Sequence, residues 1–149
     1  MKITTNKFYM NNSKEIQENE INEGATQFNG KWICNYNVSD IIEVQENNKL
    51  SIYVPSTIDV DKINNNLDNT IKSVKERINQ DTKEYKTQGA WKCENGSIVY
   101  EDITILTIDS TMKNFKSQLD NFIKLAEELK KELNQEGISI GINDGLMII

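Results

Sequence analysis

The sequence predicts an α+β fold: a ferredoxin-like split βαβ core over residues 49–149 and a β-rich, hairpin-forming extension over residues 1–48, together one domain of 149 residues. Three observations predict it. Two segments repeat apolar residues at three- and four-residue steps, as helices with one buried face do. Short stretches around them alternate apolar and polar residues, the pattern of a half-buried strand. From residue 49 the order is strand, helix, two strands, helix, strand, which suits an antiparallel sheet covered on one face.

Residues 2–9 read as a strand, with Asn11 and Asn12 as a turn. The next stretch, "SKEIQENEINEG", has only Ile16 and Ile21 as apolar anchors, so a loosely packed segment is expected there. Asn29-Gly30 signals a hairpin between "TQF" and "KWICNYNV". In the second of those strands Trp32, Cys34, Tyr36 and Val38 share a face. "DIIEVQENNKLSIYV" reads as a further hairpin turning at Asn47-Asn48, with Leu50, Ile52 and Val54 on one face and Pro55 ending the strand.

The first helix carries Val60, Ile63, Leu67, Ile71, Val74 and Ile78, with Ser56, Thr57 or Asp59 placed to cap it. The clearest hairpin joins residues 84–94 and 97–108 through Asn95-Gly96. Its second strand changes its apolar face near Glu101-Asp102, which either a bulge or two-sided burial would explain. The second helix repeats Met112, Phe115, Leu119, Phe122, Ala126, Leu129 and Leu133, with Ser110 or Thr111 as cap and Gly137 as the residue past its end. "ISIGINDGLMII" is a strand, or a hairpin turning at Asp144-Gly145.

Both tryptophans and both cysteines occur in one pattern, Gly-x-Trp-x-Cys, as Gly30, Trp32, Cys34 and as Gly89, Trp91, Cys93. With two cysteines, no histidine and no CxxC spacing, a zinc site would need carboxylates to complete it and is not expected, and a CxxC redox site is absent. The pattern is read as structural, with tryptophan and cysteine two residues apart on one side of a strand. Trp91, on an expected exposed hairpin, is the better candidate for a binding anchor. Without an export signal the cysteines are expected to be reduced thiols in a cytoplasmic protein, although a Cys34–Cys93 disulfide would need only adjacent strands.

The net charge of -6, with both signs interspersed, disfavours a phosphate-backbone binder. No apolar run is long enough to cross a membrane. The chain has no histidine, no GxGxxG and no GxxxxGK[ST], so the common acid–base pairs and phosphate loops are missing. Among carboxylates, Glu101 stands mid-strand and is the one catalytic or binding candidate, read first as a solvated residue or a partner for Lys92. Asp109 is read as part of the helix entry. The acidic and basic residues from Glu127 to Glu136 read as an ordinary wet helix face.

The block "GAWKCENGSIVYEDITILTID", its helix and "NQEGISIGIND" resemble small uncharacterised proteins of phages, plasmids and other mobile elements of AT-rich Gram-positive bacteria. The resemblance covers roughly the last 65 residues and implies a small accessory or host-interaction protein. On these grounds a non-catalytic protein-binding factor is expected, a phage or mobile-element inhibitor or counter-defence protein that contacts a host protein, with a homodimer open to it. The binding residues expected are Trp91 and Glu101, with no metal and no cofactor. The alternative is a small-ligand domain that binds or senses a nucleotide or metabolite. An enzyme using carboxylates, with or without Mg²⁺, stands third.

Overall fold

The computed structural model describes residues 1–17, 24–28, 31–56 and 67–149. The described chain runs β1 (Lys2–Ile16), β2 (Gly24–Phe28), β3 (Lys31–Glu43), β4 (Asn47–Pro55), α1 (Leu67–Ile78), β5 (Lys83–Lys92), β6 (Ile98–Thr111), α2 (Phe115–Glu132), β7 (Ser139–Ile142) and β8 (Gly145–Ile148). The fold is mixed α+β, as the sequence predicts. Every strand pairing among the described residues is antiparallel. The sheet curls round in the order β1-β3-β2-β5-β6-β4-β7-β8 and closes into a barrel where β8 meets β1.

Closure corrects the expectation of an open sheet with a hairpin attached. An open sheet would leave β5 and β7 with bare edges, each a row of unpaired N–H and C=O groups. Here β2 covers β5, β8 covers β7, and β1 and β3 bridge the gap. β1 runs on to Ile16 with no turn at Asn11-Asn12, and register shifts near Phe8, Asn11 and Glu15 take up its irregular sequence. β3 and β4 are not hairpin partners. β3 pairs with β1 and β2, while β4 pairs with β6 and β7. Asn48 instead stitches their connection with its side chain, accepting from Gln45 N at 2.8 Å and donating to Gln45 O at 2.8 Å.

The two-sided account of β6 is the right one. Its register with β4 and with β5 is unbroken, so there is no bulge at Glu101-Asp102, and Ile103 to Ile108 are all buried. The β5–β6 turn forms where Asn95-Gly96 predicts, with Gly96 at φ +87°. The final segment is a hairpin, turning one residue earlier than expected with Asn143 at φ 50°.

Leu67, Ile71, Val74 and Ile78 of α1 and Phe115, Leu119, Phe122, Ala126, Leu129 and Leu133 in and just after α2 pack into one core with Leu50, Ile52, Leu106, Ile108, Ile140 and Ile142 of the sheet. Thr57, Asp59, Val60 and Ile63, and the Asn29-Gly30 turn, lie outside the described residues. The Ser56 N–H donates to Asp102 O at 2.9 Å and lengthens the β4–β6 ladder, and the turn it was expected to cap lies outside the described residues. α2 starts at Phe115 behind Asn114, so Ser110 and Thr111 belong to β6. Asn134, at φ 50°, takes the left-handed position that Gly137 was expected to hold.

The acidic face of α2 does more than meet water. Glu128 and Glu132, one helical turn apart, receive Arg77 of α1 at 3.1 and 2.9 Å. Ser73 takes two further bonds from the same guanidinium, on Nε and Nη2. The hydrogen bonds to Glu132 are the main cause of a raised Arg77 pKa.

Candidate functional site

In an antiparallel ladder, directly opposed residues share a face, and faces alternate along each strand. Leu50, Ile52 and Val54 point to the helices, as do their partners Ile108, Leu106 and Thr104 on β6. Continuing along β6 by twos gives Asp102 and Tyr100. Their partners on β5 are Gln88 and Ala90, and Thr104 faces Lys86. Here the apolar face turns polar. Ser56 joins from β4 beside Asp102, and Gln27 joins from β2, one residue past the Thr26–Gly89 pair. The Thr87 hydroxyl donates to the Gln27 carbonyl and fixes that strand junction.

These residues line a cleft of about 620 Å³ with Leu67, at the start of α1, on its rim. That size is in the range of small-molecule sites. Its lining is Gln27, Ser56, Leu67, Lys86, Thr87, Gln88, Asp102, Ile103 and Thr104. Lys86 and Asp102 are the charged members and both are exposed. Next along the same face lies a small second cluster of Ala25, Trp32, Ala90 and Ile98. Tyr100 tilts against Trp32 with ring centroids 5.9 Å apart and remains 42% exposed, so an aromatic surface adjoins the cleft.

Of the residues singled out in the sequence, Glu101 lies on the other face of the hairpin. Glu101 is half-buried opposite Gly89, not Lys92, whose partner is Ile98. A Cβ at Gly89 would press on the end of the Ile103 side chain, which would have to move. Trp91 is opposite Val99 and Gly24 and is described through its backbone alone. Asp109 pairs with Lys49 at 3.2 Å on the surface of β6, away from any helix start. The two Gly-x-Trp-x-Cys strands, β3 and β5, flank β2 on either side. Strands two apart are roughly 9–10 Å from each other, beyond disulfide reach, and Cys93 is a free, exposed thiol. Among the described residues no cluster of three or more acids or thiols is placed to hold a metal ion, and no helix is long and apolar enough to cross a membrane.

On the face away from the helices, Ser51 and Thr107 share a hydroxyl hydrogen bond of 2.7 Å beside Tyr53. Burial pushes the Tyr53 phenol up from 10.0 to about 12. The folded chain therefore keeps this proton where the unfolded chain has lost it. The resulting stability is complete below about pH 10 and is lost as pH rises towards 12, up to about 2–3 kcal/mol at 1.36 kcal/mol per unit. Urea unfolding at pH 9 and pH 11.5 should show this loss in the native chain and a smaller one in Tyr53→Phe.

No family model matches the chain, and no curated protein matches it. Among solved structures, it is similar to a phage SAM lyase in complex with S-methyl-5′-thioadenosine, with a TM-score of 0.50 and 16% identity over 72% of this chain and 93% of that one. At that identity the likeness is one of fold. It nonetheless overturns the expectation of a non-catalytic factor whose partner is a protein, because the similar fold carries a lyase and a small-molecule ligand. The missing histidine and modest size had pointed away from chemistry, and neither excludes it. The chain is similar in fold to a phage SAM lyase, and it presents a cleft of small-ligand size with both polar and apolar lining.

Proposed function

We propose that this protein binds an S-adenosyl sulfonium compound in the β5–β6 cleft and cleaves it as a lyase. The observation that carries this is the fold likeness, which takes in 93% of the phage SAM lyase chain. The cleft supports it with polar lining residues for hydroxyl and amino groups, and with the exposed Tyr100 ring beside it for a purine to stack on. S-Methyl-5′-thioadenosine is what remains of S-adenosylmethionine when sulfur loses its amino-acid arm. The breaking S–C bond leaves its electron pair on sulfur, which becomes a neutral thioether, while the arm's own carboxylate oxygen bonds to the carbon that sulfur leaves and closes a lactone, so that no proton is gained or lost. Such a leaving group needs no proton, so a chain without histidine is not handicapped for this cleavage. The net charge of -6 also favours the approach of a sulfonium cation.

The segment β4-α1-β5-β6-α2-β7 is, in the same proposal, a ferredoxin-like unit set into a barrel. Its antiparallel order β5-β6-β4-β7 supports that assignment. A phage or mobile-element origin belongs with it.

Incubating the purified protein with S-adenosylmethionine and resolving the nucleosides by chromatography tests the activity. S-Methyl-5′-thioadenosine should accumulate in proportion to protein. If no product forms, and neither nucleoside raises the melting temperature, the proposal is wrong.

A further inference from the structure

The geometry points to Lys86 and Asp102 as a clamp for a zwitterionic amino-acid group, with the Asp102 carboxylate receiving its ammonium and the Lys86 ammonium its carboxylate. This rests on the small-ligand reading of the cleft and names the end of the ligand that the cleft selects. Gln88 is opposite Asp102 and Thr104 is opposite Lys86, so the two charged residues are diagonal neighbours on one face of two paired strands. Diagonal neighbours stand roughly 7–8 Å apart at the backbone. That leaves room for an α-amino acid between the two side chains, within hydrogen-bond reach of both.

The ion pairs described are Lys49 with Asp109, Lys75 with Glu84, and Arg77 with Glu128 and Glu132. Among the described residues neither Lys86 nor Asp102 makes an ion pair, with the other or with any third side chain. The acid nearest Lys86 along its strand is Glu84. It is held by Lys75 at 2.9 Å, and that hydrogen bond is the main cause of its lowered pKa, with the charge of Lys86 a lesser cause that leaves the Lys86 ammonium without a hydrogen bond to it. Lys86 and Asp102 are thus left to face the cleft as a complementary pair. The neutral groups beside them, Ser56, Gln88 and Gln27, can donate and accept without competing for either charge. Charge-assisted hydrogen bonds are the strong ones, so two of them confer selectivity for a ligand that carries both charges.

Titration calorimetry on the full chain, with chromatography confirming that the S-adenosylmethionine is still intact at the end of each run, tests the clamp with four probes: S-adenosylmethionine, its decarboxylated form, S-methyl-5′-thioadenosine and L-methionine. Native protein, Lys86→Met and Asp102→Asn are compared. Both substitutions fall on exposed side chains and should leave the fold intact. Each should weaken S-adenosylmethionine about tenfold or more. S-Methyl-5′-thioadenosine, which has no amino-acid arm, should bind all three proteins alike. The decarboxylated compound should respond to Asp102→Asn and not to Lys86→Met. If both variants weaken the two intact nucleosides equally, or neither, the clamp is wrong while the adenosyl reading stands. If no nucleoside binds, the adenosyl reading fails and L-methionine decides: binding that both substitutions remove upholds the clamp, and no binding overturns it.

Discussion

Asn48→Ala should destabilise the protein by about 3 kcal/mol, measured as a lower midpoint in urea with an unchanged slope. Asn48 is 2% exposed and hydrogen-bonds to three different parts of the chain through its side chain. Its amide oxygen accepts from Gln45 N at 2.8 Å and from Asn143 Nδ2 at 3.1 Å. Its amide nitrogen donates to Gln45 O at 2.8 Å and Ser110 O at 3.1 Å. It therefore ties together the β3–β4 connection, the end of β6 and the β7–β8 turn. Alanine would strand several of these groups away from water, each at a cost of roughly 1–3 kcal/mol if nothing replaces the bond. Asn48→Asp is the sharper control. It keeps the acceptor but sets a second oxygen against two carbonyls, so it should be no better than alanine. A change below 0.5 kcal/mol in both variants would show that water satisfies these groups as well.

Phe122→Ala should cost about 3–5 kcal/mol by the same measurement. Phe122 is 1% exposed on the sheet side of α2, in the core that joins both helices to β4, β6 and β7. Removing the ring loses its transfer energy and opens a cavity which a closed barrel and two packed helices cannot readily collapse. Asn121→Ala, on the exposed side of the same helix, should stay within about 0.5 kcal/mol. Equal effects at the two positions would mean that α2 does not lie on the sheet as described.

The helices were legible because their stripes are local. Phe115, Leu119, Phe122, Ala126 and Leu129 recur within a single run of chain, and the face they predict is the buried one. The β5–β6 hairpin was legible for the same reason, since Asn95-Gly96 sits between its own two strands. Barrel closure was not, because it depends on which distant strand β1, β3 and β8 each choose, and the alternation of β1 is too irregular to state a register. The cleft was hidden by the same non-locality. Gln27, Ser56, Gln88 and Asp102 converge from four strands, and no window of sequence holds them together. Which carboxylate faces the cleft turns on a single position. Glu101 and Asp102 are adjacent, strand alternation sends them to opposite faces, and the cleft is on the side of Asp102. The one signal available was the face of Leu106 and Thr104, carried two residues further back along β6.

The β1–β8 seam, where Tyr9 meets Leu146 and Met10 meets Gly145, sets the timing of biogenesis. A ribosome emits β1 long before β8 exists. Until then the nascent chain carries an open arc with two adhesive ends, protected only by whatever holds them apart. Contacts of such long span form late and make folding slow. A premature stop ahead of β8 would accordingly damage solubility, because β1 and β7 would each keep an unpaired edge.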